Sequence, residues 1–243
     1  FEQPGLDALN TMGCEVVFEP DLTMDDLPGA LSRHDPKVLI VRSTKVQAPA
    51  LEAATSLGLI IRAGAGYDTI DIETAGKRGV SVANCPGMNS AAVAELTMGL
   101  ILSLDRRIPQ QTAELREGKW AKKAWAKFGR GLKGNTLGLI GVGQIGKLVA
   151  RRAIAFDMKV VYYDIVPCEE LDNHPSGMRV ELDELLKVSD VVSLHVPAND
   201  ATKNLINAER LAKMQPHAHL VNTTRGSVVD LEALAKALED GKI

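Results

Sequence analysis

Thr136-Leu-Gly-Leu-Ile-Gly141-Val-Gly143-Gln-Ile-Gly146 is the stretch that decides how the whole chain folds. A short apolar run enters a G-x-G-x-x-G turn. An amphipathic helix is predicted to open beyond it, with Ile145, Leu148, Val149, Ala153 and Phe156 on one face. The three glycines answer different needs. Gly141 permits the tight turn, Gly143 has no side chain to block a pyrophosphate, and Gly146 lets helix and strand approach closely. The phosphates would then lie at the helix N-terminus, where unpaired N–H groups and the helix dipole favour an anion. A second apolar run ends at Asp164, about 20 residues further on. A carboxylate there can accept from both ribose hydroxyls and would repel a 2′-phosphate, so the expected cofactor is NAD rather than NADP.

Outward from this turn, short β-like runs alternate with helical patterns to both ends of the chain, the rhythm of a parallel α/β layer. Before the turn, strands are expected at Cys14–Phe18, Lys37–Val41, Leu59–Ala63 and Val80–Ala83. Helices are expected near Gly5–Met12, Asp25–Arg33, Pro49–Ser56 and Ile72–Arg78. A long helix follows over about Asn89–Arg107, with Asn89 or Ser90 as its cap and Pro109 marking its end. A more polar helix covers about Gln110–Gly118, and Lys119–Gly134 reads as an irregular connection. After it, strands are expected at Leu137–Gly141, Lys159–Asp164, Met178–Val180, Val191–His195 and His219–Asn222. The last helix, Leu231–Glu239, should pack through Leu231, Leu234, Ala235 and Leu238. The domains expected are residues 1–90 and 91–243.

The bulk numbers narrow the function classes. With 45% hydrophobic and 24% charged residues, the 243 residues can bury a core as globular proteins do. A net charge of -3 gives no reason to expect nucleic acid or an acidic membrane as partner. The longest strongly apolar stretch, Leu96 to Leu104, is far short of the ~20 residues that span a bilayer. Cys14, Cys85 and Cys168 are far apart, with neither metal-ligand spacing nor a paired framework. No metal is expected, and a reducing, cytoplasmic setting fits best.

In several motifs, taken in order, the chain resembles the D-isomer-specific 2-hydroxyacid dehydrogenases, most of all the phosphoglycerate dehydrogenase branch. Arg62-Ala-Gly-Ala-Gly-Tyr-Asp68 resembles the family's glycine-rich substrate loop. Asn84-Cys-Pro-Gly-Met-Asn-Ser-Ala-Ala-Val-Ala-Glu-Leu-Thr97 resembles the start of its interdomain helix. His195-Val-Pro197 and Asn222-Thr-Thr-Arg-Gly226 follow at strand ends. The resemblance implies an α/β fold. Residues 91–243 would form a Rossmann-type doubly wound parallel sheet with the interdomain helix, and residues 1–90 a flavodoxin-like substrate domain. It implies backbone contacts from Gly64, Ala65 and Gly66 to a substrate carboxylate, with Ala65 and Thr97 also near the nicotinamide. Gln144 and Ile145 would donate to the pyrophosphate, Val196 and Pro197 would line the adenosine side, and Thr223 and Thr224 the nicotinamide half. Arg225 resembles the catalytic arginine, whose two-donor fork can hold a carboxylate and polarise the C2 oxygen. Arg42 and Ser43 match the contact to a substrate phosphate, with Lys45 and Arg62 as further charge. The reaction implied is NAD-dependent oxidation of a D-2-hydroxy acid, first of all 3-phosphoglycerate to 3-phosphohydroxypyruvate in serine biosynthesis, by a homodimer. Alternatives are a glyoxylate or hydroxypyruvate reductase of the same family, or a non-catalytic, NAD-responsive protein like the family's corepressors.

The pattern also departs from the family. The proton-transfer His and the Glu that orients it are expected beyond the last helix, with the strand that leads to them, and are not found in the sequence. Only five strands are expected where a dinucleotide domain has about six. Both domains are therefore expected to be incomplete, and the polypeptide as it stands to turn over little. His195 ends a strand at the binding edge, but its place in the family is on the adenine side. It is not expected to be the base, and His34, His174, His217 and His219 are expected to be solvated or structural.

Overall fold

In a computed structural model, which describes residues 3–243, the apolar runs form two parallel sheets. Each sheet belongs to its own unit, Phe1–Pro86 or Gly87–Ile243. In the first unit, β1 (Val38–Val41), β2 (Leu59–Arg62) and β3 (Ser81–Asn84) lie side by side in that order. Ile60 at the centre is fully enclosed, and Leu27, Leu31, Val46, Leu51 and Val80 close around it from the flanking helices and loops. The segment Cys14–Phe18 is not a strand, contrary to its β-rich composition. Only Val16 in it is even partly covered, and no neighbouring strand offers it a ladder. Residue type raises strand propensity, but burial against a partner realises it.

The second unit holds five parallel strands: β4 (Thr136–Ile140), β5 (Lys159–Tyr163), β6 (Gly177–Arg179), β7 (Val191–Leu194) and β8 (His219–Asn222). Their order is β6-β5-β4-β7-β8. The chain thus runs outward from β4 on one side, then crosses back and runs outward on the other. Beyond the carboxyl ends of β4 and β7 the loops diverge, which is where open α/β sheets bind ligands.

Both faces of this sheet are covered, which is why Leu137–Ile140 reads as one apolar run rather than an alternation. Helices Ser90–Arg106 and Gln144–Ala155 bury Leu137, Leu139, Val149, Ala153 and Tyr162 on one side. Helices Leu182–Val188 and Leu231–Glu239 cover Ile140, Leu185, Val192 and Leu194 on the other. Each such enclosed side chain contributes about 1.5–3 kcal/mol. On the second face Gly138 leaves no room for a side chain, since a Cβ there would come within 2.2 Å of Ser189 Oγ and 2.6 Å of Leu185 Cδ2.

Two helix expectations need correction, while Asn89 occupies the expected cap position before Ser90–Arg106, without a side-chain cap bond. That helix ends because Arg107 turns left-handed at φ 53, and Pro109 lies in the first turn of the next helix, Ile108–Arg116. Proline is tolerated there because the first-turn N–H has no helical partner to lose. The final helix Leu231–Glu239 is rotated from the expected face. It packs through Ala233, Leu234 and Ala237, while Leu231 and Leu238 are exposed.

Two carboxylates tie the amino edge of the second sheet. Asp105 is buried and accepts from the N–H groups of Arg130 (2.9 Å) and Gly131 (3.1 Å), anchoring the end of the 119–134 connection to the long helix. Asp190 accepts from Thr136 N–H and pairs with His217 Nε2, both at 2.8 Å. Losing such a bond to a charged acceptor costs about 1.5–3 kcal/mol. Among the described residues, no helix is long and apolar enough to cross a membrane.

Candidate functional site

The turn after β4 is built by backbone contacts that exclude side chains. Gly141 adopts φ 93, and a Cβ on it would lie 2.8 Å from the main-chain carbonyl of His195, just beyond β7. A Cβ on Gly146 would lie 2.2 Å from the carbonyl oxygen of Gly141, so helix and strand meet through bare backbone. Gly143 differs from both. A Cβ there would meet no protein atom within 4 Å, so the fold itself does not require a glycine. The open space lies at the start of helix Gln144–Ala155, whose first intrahelical bond is Lys147 N–H to Gly143. The N–H groups of Gln144, Ile145 and Gly146 precede it and carry the helix's partial positive charge. A pyrophosphate fits this combination of donors and empty space.

Asp164 follows β5 on the same edge. Its Oδ2 accepts from Val142 N–H at 2.7 Å and its Oδ1 from Val166 N–H at 3.0 Å. The residue singled out as a ribose ligand therefore also holds the glycine turn in shape. Each carboxylate oxygen keeps a second lone-pair direction. Val196 is half-buried beside Gly141, and Pro197 is exposed.

At the end of β8, Asn222 organises the turn that presents Arg225. Its Oδ1 accepts from Thr224 N–H (2.9 Å) and Thr224 Oγ1 (2.7 Å), while its Nδ2 donates to the Arg225 carbonyl at 2.9 Å. The Arg225 side chain is exposed, with Nη1 donating to the Thr224 carbonyl at 3.1 Å. Thr97 is fully enclosed. Its hydroxyl donates to the Val93 carbonyl and lies 3.2 Å from Thr223 Oγ1, so it supports Thr223 from behind. Asn222 opens the Asn-Thr-Thr-Arg-Gly segment, which by itself assigns it no role. Its position three residues before Arg225, in a strand-to-turn Asn-Thr-Thr, is the signal that could have found it.

In the first unit, the 62–66 loop is pinned to its own sheet. Ala63 N–H donates to Val41, Cys85 N–H to Gly64, and Asn84 Nδ2 to the Ala65 carbonyl at 2.7 Å. The Arg62 guanidinium lies over Gly64, where a Cβ would be 1.5 Å from Nη1, and its Nε is buried without a partner. Arg42 and Ser43 are exposed directly after β1, as is Lys45.

Residues 98–243 match the NAD binding domain of the D-isomer specific 2-hydroxyacid dehydrogenases. The hydroxypyruvate reductase of Thermotoga maritima is 45% identical, over 97% of this chain and 74% of that protein. The chain belongs to the D-2-hydroxyacid dehydrogenase family. It is similar also to the D-3-phosphoglycerate dehydrogenase of Methanocaldococcus jannaschii, 42% identical over 94% of this chain but only 43% of that protein's length. Among solved structures, an NAD-dependent formate dehydrogenase from Staphylococcus aureus in complex with NAD superposes with a TM-score of 0.86 at 31% identity. The match covers 98% of this chain and 71% of that one. As a member of this family the chain is an NAD-dependent oxidoreductase, and the cradle at Gly143 is of the kind its cofactor needs.

His195 follows β7 on this edge. Its Nε2 lies 3.0 Å from Ser193 Oγ, and its Nδ1 is buried without a partner. Burial pushes the imidazole down to about 4, so the ring is neutral at pH 7. A base that weak is poorly matched to proton abstraction near neutrality.

Gly143→Ala should change the unfolding free energy read from a urea titration by no more than about 1 kcal/mol while abolishing NAD binding in a calorimetric titration. Gly146→Ala should lose about 1–3 kcal/mol of stability or more, because two backbones must separate. Equal destabilisation by both would contradict the distinction. For His195, the unfolded chain takes up a proton near 6.5 and the folded chain only near 4. The stabilisation is complete above the upper value and is lost as pH falls through that window. His195→Gln should flatten the acid limb of the stability–pH curve by up to about 3 kcal/mol. An unchanged slope would show that burial of this ring is not what is titrating.

Proposed function

We propose that the protein oxidises a small anionic D-2-hydroxy acid with NAD, 3-phosphoglycerate being the first candidate substrate, and forms 3-phosphohydroxypyruvate. The observation that carries the anionic class is the cationic rim of the first unit. Arg42 and Lys45 are exposed after β1, and the Arg62 guanidinium lies over the Gly64–Gly66 loop with an unpartnered Nε. In this reading the loop's backbone and Ala65 receive the substrate carboxylate, and Arg42 with Ser43 receives the phosphate. Residues 1–90 act as the substrate domain and 91–243 as the cofactor domain.

Bound NAD supplies the acceptor for the hydride that leaves C2. Gly141, Gly143, Gln144, Ile145 and Gly146 hold the pyrophosphate, and Asp164 takes the ribose hydroxyls. Val196 and Pro197 line the adenosine, and Thr223 and Thr224, backed by Thr97, line the nicotinamide half. Arg225 fixes the carboxylate and polarises the C2 oxygen, so charge that develops there meets a fixed guanidinium. As the hydride leaves C2 the hydroxyl proton passes to a general base, a part that His195, neutral and largely buried, does not play.

A second reading, reduction of hydroxypyruvate or glyoxylate, is favoured by the name of the Thermotoga relative, of which the chain spans the larger share. A steady-state panel on the full-length protein separates the two. Under the first reading, phosphohydroxypyruvate is preferred. Arg42→Gln then raises its KM about tenfold or more, as loss of a charge-assisted contact predicts, and leaves that for glyoxylate unchanged. Preference for the unphosphorylated acids, with no Arg42 effect, would replace it by the second.

We also propose a homodimer formed through the long helix and the segment after it, which expose Leu96, Leu100, Ile108, Leu115 and Trp120. Sedimentation should give a dimer that Leu96→Lys with Leu115→Lys converts to monomer. A monomeric parent protein would refute the proposal.

A further inference from the structure

Arg179 is the last residue of β6, the strand paired beside β5, and so it ends at the edge that carries Asp164. Its Nη2 donates to the main-chain carbonyl of Asp164 at 2.8 Å. The side chain is exposed, so one donor of the fork fixes its position while the others face solvent. The Asp164 carboxylate faces the glycine turn through Val142 N–H and its own following turn through Val166 N–H. A carboxylate and a guanidinium thus flank the same short stretch of edge, one rejecting a phosphate and the other suited to it. A guanidinium binds phosphate through two parallel donors, and charges this close act well within the screening length of about 8–10 Å.

We propose that Arg179 is a latent ligand for the 2′-phosphate of NADP, so that the chain's choice of NAD rests on the Asp164 carboxylate alone. The proposal rests on the reading of Asp164 as the ribose partner. The spacing from the glycine turn pointed to the acid; nothing in the motif pointed to an arginine on the neighbouring strand. With Asp164 present, its charge opposes the 2′-phosphate and NAD is preferred. With that charge removed, the guanidinium is already in place and held by a main-chain carbonyl that substitution does not remove.

Calorimetric titration of NAD and of NADP into the parent chain, Asp164→Ser, Arg179→Gln and the double variant tests this without recourse to turnover. Asp164→Ser should weaken NAD about fivefold or more and tighten NADP about tenfold, the scale of one charge-assisted contact. In the double variant the NADP gain should disappear while NAD affinity stays at the Asp164→Ser value. An NADP gain that survives loss of Arg179 overturns the proposal. Unchanged NAD affinity in Asp164→Ser would instead overturn the ribose reading of Asp164. The Arg179→Gln single variant decides the matter if Asp164→Ser, deprived of its bond to Val142, does not fold. NADP weakened about fivefold with NAD within twofold supports a phosphate contact. An equal effect on both cofactors, or none, refutes it.

Discussion

The second unit depends on one close approach, that of the Gly146 Cα to the Gly141 carbonyl, where an added Cβ would come within 2.2 Å. That contact sets the angle at which helix Gln144–Ala155 leaves β4. It thereby sets where three unpaired N–H groups point and lets Val149, Ala150 and Ala153 reach the sheet. Beside it Gly141 turns at positive φ where an added Cβ would meet the main-chain carbonyl of His195. The packing and the direction of those N–H groups are consequences of the same geometry, so a side chain at Gly146 would disturb both.

Around that contact, side chains mostly hold backbone in place. Asp164 holds the glycine turn, Asn222 holds the turn carrying Arg225, Thr97 backs Thr223, and Asn84 secures the loop at Ala65. Each is partly or fully covered, and each satisfies a main-chain or hydroxyl group that would otherwise lose its partner. The donors offered to a ligand are then fixed before it arrives, which lowers the ordering cost of binding.

Much of this was legible in the residues. The strands of the second unit were located to within one residue at each end, because buried parallel strands are continuous apolar runs bounded by glycine or polar residues. Misreadings arose where a local pattern had no partner to meet it. Cys14–Phe18 has the composition of a strand but no ladder neighbour. Leu231 and Leu238 share a helical face with Leu234, yet the helix turns Ala233 and Ala237 to the core. Leucines are favoured on a buried face, but the small alanines allow the closer approach to the elements beneath.

The amino-acid sequence by itself determined the α/β class, the strand–turn–helix at Gly141–Gly146 and the acid at Asp164. These follow from local steric rules and from a spacing that a single supersecondary unit imposes. The tertiary structure alone decided the strand order β6-β5-β4-β7-β8 and the burial that keeps His195 neutral. It also decided that Asn222 shapes the Arg225 turn and that Arg179 stands beside Asp164. Those features depend on which strands become neighbours, and neighbours distant in sequence are selected by packing free energy summed over a whole core rather than by any local pattern.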